Sequence, residues 1–162
     1  MSPNDVLTAG YRMSAQLFHR MVDDLTPEEF ARQPVAGANS AAWVVGHLAL
    51  VLRNGLRRMG AADVPAFPAE LEAKFTATRQ AAGEQTGYGD PKVLLAIFDA
   101  CLERFKAIVQ RMPADVLATA QEGRVPFATN QAEAVLFGAL HIALHSGQLS
   151  TVRRSLGKPP LV

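Results

Sequence analysis

Helix-start signals divide this chain, and they constrain its fold more than any other feature. Ser2-Pro3 and Asp90-Pro91 each put a capping residue ahead of a proline. Proline is harmless at a first helical position, where the N–H has no intrahelical partner to lose. Thr26-Pro27-Glu28-Glu29 carries a capping box between Thr26 and Glu29, and Pro34 stops that helix after one or two turns. Asn39 or Ser40 opens a long helix reaching about Met59, with Arg57 and Arg58 in its last turn and Gly60 just past its end. Asn130 with Glu133 resembles a further capping box and opens the last helix, which runs to about Leu156 and closes at Gly157 and Pro159-Pro160.

Apolar spacing agrees with this punctuation. Leu7, Tyr11, Phe18, Met21 and Leu25 recur at helical intervals after Ser2. Leu94, Phe98, Cys101, Phe105, Ile108 and Met112 form a heptad-like stripe after Asp90, ended by Pro113. Alternating β-branched runs are missing, so no strand is expected. Residues 61–89 are the weak part, broken by Pro65, Pro68, Gly83, Gly87 and Gly89, with room for a short helix over Glu70–Ala82. Residues 113–129 read as a broken connector. The expected fold is all-α, a four-helix bundle in one domain over residues 1–162. The connection between the second and third long helices is about 30 residues, too long for a tight turn, so these helices run parallel across a crossover. That order is up-down-down-up.

Composition narrows the class. A chain of 162 residues buries enough surface for one core. Lys and Arg number 16 against 15 Asp and Glu, so the net charge of +1 gives no overall attraction to nucleic acid or acidic membranes. One cysteine cannot form an intrachain disulfide, which is compatible with a reducing, cytoplasmic setting. Met1–Arg12 lacks the apolar run of a secretory signal. Pro34–Leu52 and Ala134–Val152 contain no Lys, Arg, Asp or Glu, yet His, Gly and Ser interrupt both. They read as buried helices, not membrane spans.

The chemistry-bearing residues are histidines. His141 and His145 are four apart, so on a helix they lie one above the other with Cβ atoms about 5–6 Å apart. That spacing lets two imidazoles bind one metal. Phe137, Leu144, Gln148 and Val152 share their face, which reads as apolar. His47 sits among Trp43, Val44, Leu50 and Val51 on the second long helix. A polar ring aimed into a core must find partners or costs about 1–3 kcal/mol. One cation satisfies all three rings. Ordinary hydrogen-bonded core histidines remain the alternative on the residues alone.

A resemblance adds to this reading. Ser40-Ala-Ala-Trp43-Val-Val-Gly46-His47-Leu48 and Gly138-Ala-Leu-His141-Ile-Ala-Leu-His145-Ser-Gly147-Gln148-Leu149 resemble the DinB-like (DinB/YfiT) superfamily of metal-associated helical proteins. The tail Val152–Pro160 also looks like that family's last-helix ending. The similarity is specific over the second and fourth long helices and compatible in pattern elsewhere. It implies an up-down-down-up bundle and a three-histidine metal site at His47, His141 and His145. It also implies transferase or isomerase activity with a low-molecular-weight thiol such as bacillithiol or mycothiol, or hydrolase activity. A homodimer is a further implication. Imidazole ligands suit zinc, nickel, iron or copper. The reading is therefore a metal-dependent enzyme acting on a small molecule, with no nucleic-acid or membrane partner. The alternatives are a non-catalytic metal-binding bundle, such as one of a stress response, and a bundle whose three histidines bind no metal.

Other residues receive plainer expectations. Gln148 is expected as a buried amide bonded to a neighbouring helix, or else as a support or substrate contact beside His145. His19 is expected in a solvated pair with Asp23, and Cys101 as packing. Arg53, Arg57 and Arg58, like Arg153, Arg154 and Lys158, are expected as solvated charges complementing helix C-termini, the alternative being that they hold carboxylates of an anionic substrate or thiol cofactor. No general base is assigned among Asp63, Asp115 and Glu122.

Overall fold

The computed structural model describes residues 1–76, 87–121, 125 and 127–159. Among them the regular elements are helices: α1 (Pro3–Val22), α2 (Pro27–Ala31), α3 (Ala41–Arg58), α4 (Ala69–Thr76), α5 (Pro91–Gln110), α6 (Ala114–Ala118) and α7 (Gln131–Ser155). An isolated antiparallel bridge, Ala120 to Asn130, is the nearest approach to sheet structure among them.

Each long helix begins where its capping residue predicts. The side chains of Ser2, Ser40, Asp90 and Asn130 accept from backbone N–H groups of α1, α3, α5 and α7, as Thr26 does for α2. The start of α7 departs from the expected capping box in one respect. The Glu133 carboxylate accepts from the Thr129 N–H at 2.7 Å, one residue earlier than the cap itself. Gly60 and Gly157 take φ of +72° and +74° just past α3 and α7, where only glycine is unstrained.

The four long helices enclose one hydrophobic cluster that includes Phe18, Leu48, Phe98, Ile142 and Leu149. Helix α1 packs against α7 and α5, and α3 packs against α5 and α7. Asn4 near the start of α1 donates to the carbonyls of Val109 and Met112 at the end of α5, at 2.6 and 2.9 Å. The Tyr11 hydroxyl donates to the Val135 carbonyl of α7 at 2.8 Å. A Cβ on Gly138 would collide with that hydroxyl, so glycine is what allows Tyr11 to reach α7.

The short helix expected from Glu70 is present as α4, which packs on α3, and Phe67, Leu71, Phe75 and Tyr88 are buried. Positions 77–82 of the expected Glu70–Ala82 helix lie outside the described residues. The connector after Pro113 contains α6, whose Leu117 is buried. Finally, Arg53 and Arg153 are not solvated charges. Arg53 is buried and paired with Glu72 at 3.1 Å, and Arg153 is buried and paired with Asp24, which Lys158 also approaches. Both arginines carry apolar stems long enough to cross the helix surface and reach a carboxylate at the rim. Cys101 is fully buried, and burial pushes its thiol up to about 11 against the opposing charges of Arg53 and Arg104.

Candidate metal centre

The 3.6-residue period of α7 puts His141 and His145 on one face, and the packing of α3 against α7 brings His47 to meet them. Ring centroids of His47 lie 5.3 Å from His141 and 5.0 Å from His145. One nitrogen from each ring falls within 4.8 Å of one from each of the others. The three residues that spacing had singled out are therefore together in space.

Two of the rings have their orientation fixed from behind. The His47 Nδ1–H donates to the Phe75 carbonyl of α4 at 3.3 Å. The His145 Nδ1–H donates to Gln148 Oε1 at 2.9 Å. A ring that donates from Nδ1 keeps its lone pair on Nε2, the tautomer a metal ligand needs. His145 Nε2 and His141 Nε2 then approach to 3.0 Å. Trp43 stacks on His47 with centroids 4.6 Å apart and planes 9° from parallel. The buried Trp43 indole N–H has no hydrogen-bond partner among the described residues.

Electrostatics keeps the rings uncharged. Burial lowers His47, with the Phe75 hydrogen bond opposing it. His141 is pushed down to about 4 by burial and then by His47. His145 is pushed down to about 4 by burial, then by His141 and His47, with Gln148 opposing. All three rings are thus neutral at neutral pH, the state in which an imidazole can ligate a metal.

The donor set fits a divalent cation. Two nitrogens bound to one ion at about 2.0–2.1 Å stand about 2.8–3.4 Å apart at angles from square to tetrahedral. The 3.0 Å separation of His141 and His145 falls within that window. Three neutral ligands from two helices would leave a bound ion its full charge and open coordination positions.

The other candidates separate from this cluster. Gln148 is exposed and bonds within its own helix, so it is not the buried amide expected of it. Leu144 does not share the apolar face, being 64% exposed. His19 is half-buried and is held by two carboxylates, Nδ1 to Asp23 at 2.9 Å and Nε2 to Asp99 at 2.7 Å. Both nitrogens are committed, so it offers no lone pair. Its pKa rises to about 9, chiefly through the hydrogen bond to Asp99, with Asp23 adding and burial opposing. Asp63 pairs with Arg104 at 2.5 Å, and Glu122 lies outside the described residues. Phe75 was missed as a site residue because its contribution is a backbone carbonyl. The apolar spacing of Phe67, Leu71 and Phe75 was the available signal that this segment docks on α3.

An all-helical chain with three neutral imidazoles gathered between two of its helices fits a metal-binding protein. The DinB superfamily pattern matches residues 11–149, and the chain belongs to that superfamily. It is also similar in fold to a crystal structure described as the conserved protein of a locus from Enterococcus faecalis. The TM-score is 0.72 at 15% identity, over 98% of this chain and 99% of that one. No curated protein matches the chain.

Proposed function

We propose that this chain is a single-domain metal-dependent enzyme that transfers a thiolate to an electrophilic small molecule. The observation that carries the reading is the convergence of three neutral histidine nitrogens within 4.8 Å. His47, His141 and His145 hold the ion; zinc, nickel and iron all suit imidazole. When bound, such an ion supplies Lewis acidity, holding a coordinated thiol as thiolate or acidifying a water. The Phe75 carbonyl orients His47, and Gln148 orients His145. Trp43, stacked on His47, covers one face of that ring. The thiol is of low molecular weight, and hydrolysis is the competing reaction class at the same centre.

The reading places this centre on an up-down-down-up four-helix bundle. Asn4 meeting Val109 and Met112 supports opposed α1 and α5, and Tyr11 meeting Val135 while Arg153 meets Met21 supports parallel α1 and α7. Homodimerisation belongs to the same proposal. Leu136, Leu140 and Leu144 form an exposed apolar row on α7 that supports it.

The test is a panel of thiols and electrophiles assayed with metal-loaded native protein and a His47→Ala variant. Turnover with the native protein, lost in the variant, is expected. No turnover across the panel, or equal turnover in the variant, removes the enzymatic reading and leaves a non-catalytic metal-binding bundle.

A further inference from the structure

A partly open cavity of about 450 Å3 lies alongside the α3–α7 packing. Leu48, Val51 and Leu52 line it from α3, and Phe137 and Ile142 from α7. Tyr11 of α1 and Phe105 of α5 reach into it, but the Tyr11 hydroxyl is already committed to Val135. The remaining polar groups are few: His141, Arg58, Gln121 and Gln131.

Helix geometry assigns these groups to opposite ends. On α3, Arg58 follows His47 by a rise of about 16 Å. On α7, Gln131 precedes His141 by about 15 Å. Trp43 meets His145, whereas His47 meets both His145 and the earlier His141, so α3 and α7 run in opposite directions here. Both displacements therefore lead to the same end. The slot has His141 at its inner end and Arg58, Gln121 and Gln131 at the other.

Arg58 differs from its neighbours. Arg53 and Arg57 share Glu72, and Arg104 holds Asp63. Arg58 has no ion-pair partner among the described residues, and no described carboxylate lines the slot. Gln121 Nε2 donates to Gln131 Oε1, which leaves the Gln131 amide, lining the same slot, with donors to spare. An exposed guanidinium with no counter-charge among the described residues, at the end of an apolar slot, is suited to a carboxylate.

We propose that the slot binds a small organic anion end-on. Its carboxylate lies on Arg58, its apolar body of roughly six to ten carbons runs between Val51 and Phe137, and its reacting group reaches His141. The role of the inner end rests on the metal-centre reading above; the anion-binding end does not.

The experiment is calorimetric titration of the full chain, zinc-loaded and chelator-treated, with octanoate and octan-1-ol as probes. Octanoate is expected to bind the chelator-treated protein, and Arg58→Gln to weaken it by about tenfold or more. Octan-1-ol is expected to bind wild type and Arg58→Gln alike. Val51→Trp, which fills the slot, is expected to abolish both, with circular dichroism reporting that it stays folded. Equal octanoate affinity in wild type and Arg58→Gln overturns the proposal. So does octanoate binding that appears only with zinc and ignores Arg58, because the carboxylate has then gone to the metal. Failure of the metal reading would appear separately, as zinc-treated protein that retains no zinc, and leaves the chelator-treated arm to decide the slot.

Discussion

The Nε2 atoms of His141 and His145 stand 3.0 Å apart across one turn of α7. Two imidazole nitrogens at that distance need either a proton between them or a shared cation. The Nδ1 of His145 is already donating to Gln148, so its Nε2 is an acceptor. His141 must then supply the proton from Nε2, and a bound cation would require that proton to move to His141 Nδ1.

Acid should destabilise the metal-free protein through these rings. His141 and His145 titrate near 4 when folded, against 6.5 for an unperturbed imidazole. Between those values the unfolded chain takes up protons that the folded chain refuses. Their neutral state costs nothing above about pH 6.5, and stability falls as pH drops toward about 4. Urea midpoints at pH 7 and pH 5 should show a larger acid loss for wild type than for His141→Leu. Equal losses would remove the triad as the cause.

His19 should act with the opposite sign. Its folded pKa of about 9 lies above the unperturbed 6.5. The stability it contributes is complete below about pH 6.5 and is lost as pH rises through about 9. His19→Gln should therefore melt below wild type at pH 6 and coincide with it at pH 10. A difference that persists unchanged at pH 10 would show that packing, not charge, links α1 to α5 here.

Gln148 reaches the centre only through His145. Replacing Gln148 by Leu should weaken metal binding about tenfold to a hundredfold, as losses of such supporting bonds do elsewhere. The side chain is exposed, so the metal-free melting curve should move by no more than about 0.5 kcal/mol in stability. Competition with a chromogenic chelator measures the first effect. Unchanged affinity would mean that the His145 rotamer is fixed by packing alone.

Gly46 and Phe75 couple α3 to α4 beside His47. A Cβ at position 46 would collide with the Phe75 ring, whose own carbonyl accepts from His47. Gly46→Ala should cost about 1–3 kcal/mol of stability and weaken metal binding together, because displacing Phe75 releases the ring that it orients. Destabilisation with unaltered metal affinity would separate the packing from the site.

How much of this was legible in the sequence follows from how local each cause is. Ser2, Thr26, Ser40, Asp90 and Asn130 cap their helices through atoms two or three residues away, so their roles could be read directly. The His141–His145 spacing is local too. Arg53 and Arg153 were misread because their partners, Glu72 and Asp24, come from distant segments. His19 was half legible: Asp23 lies one turn away, whereas Asp99 belongs to α5. Leu144 was misplaced because α7 carries apolar residues around its whole circumference, and periodicity then cannot say which face is buried. The Phe75 carbonyl has no side-chain signal at all.

The central claim is that His47, His141 and His145 hold one ion, and elemental analysis of reconstituted, desalted protein tests it most directly. The account predicts about one divalent ion per wild-type chain and less than about a tenth in a variant with all three histidines replaced by alanine. Less than about a tenth of an equivalent in wild type, or the same content in both proteins, would contradict it.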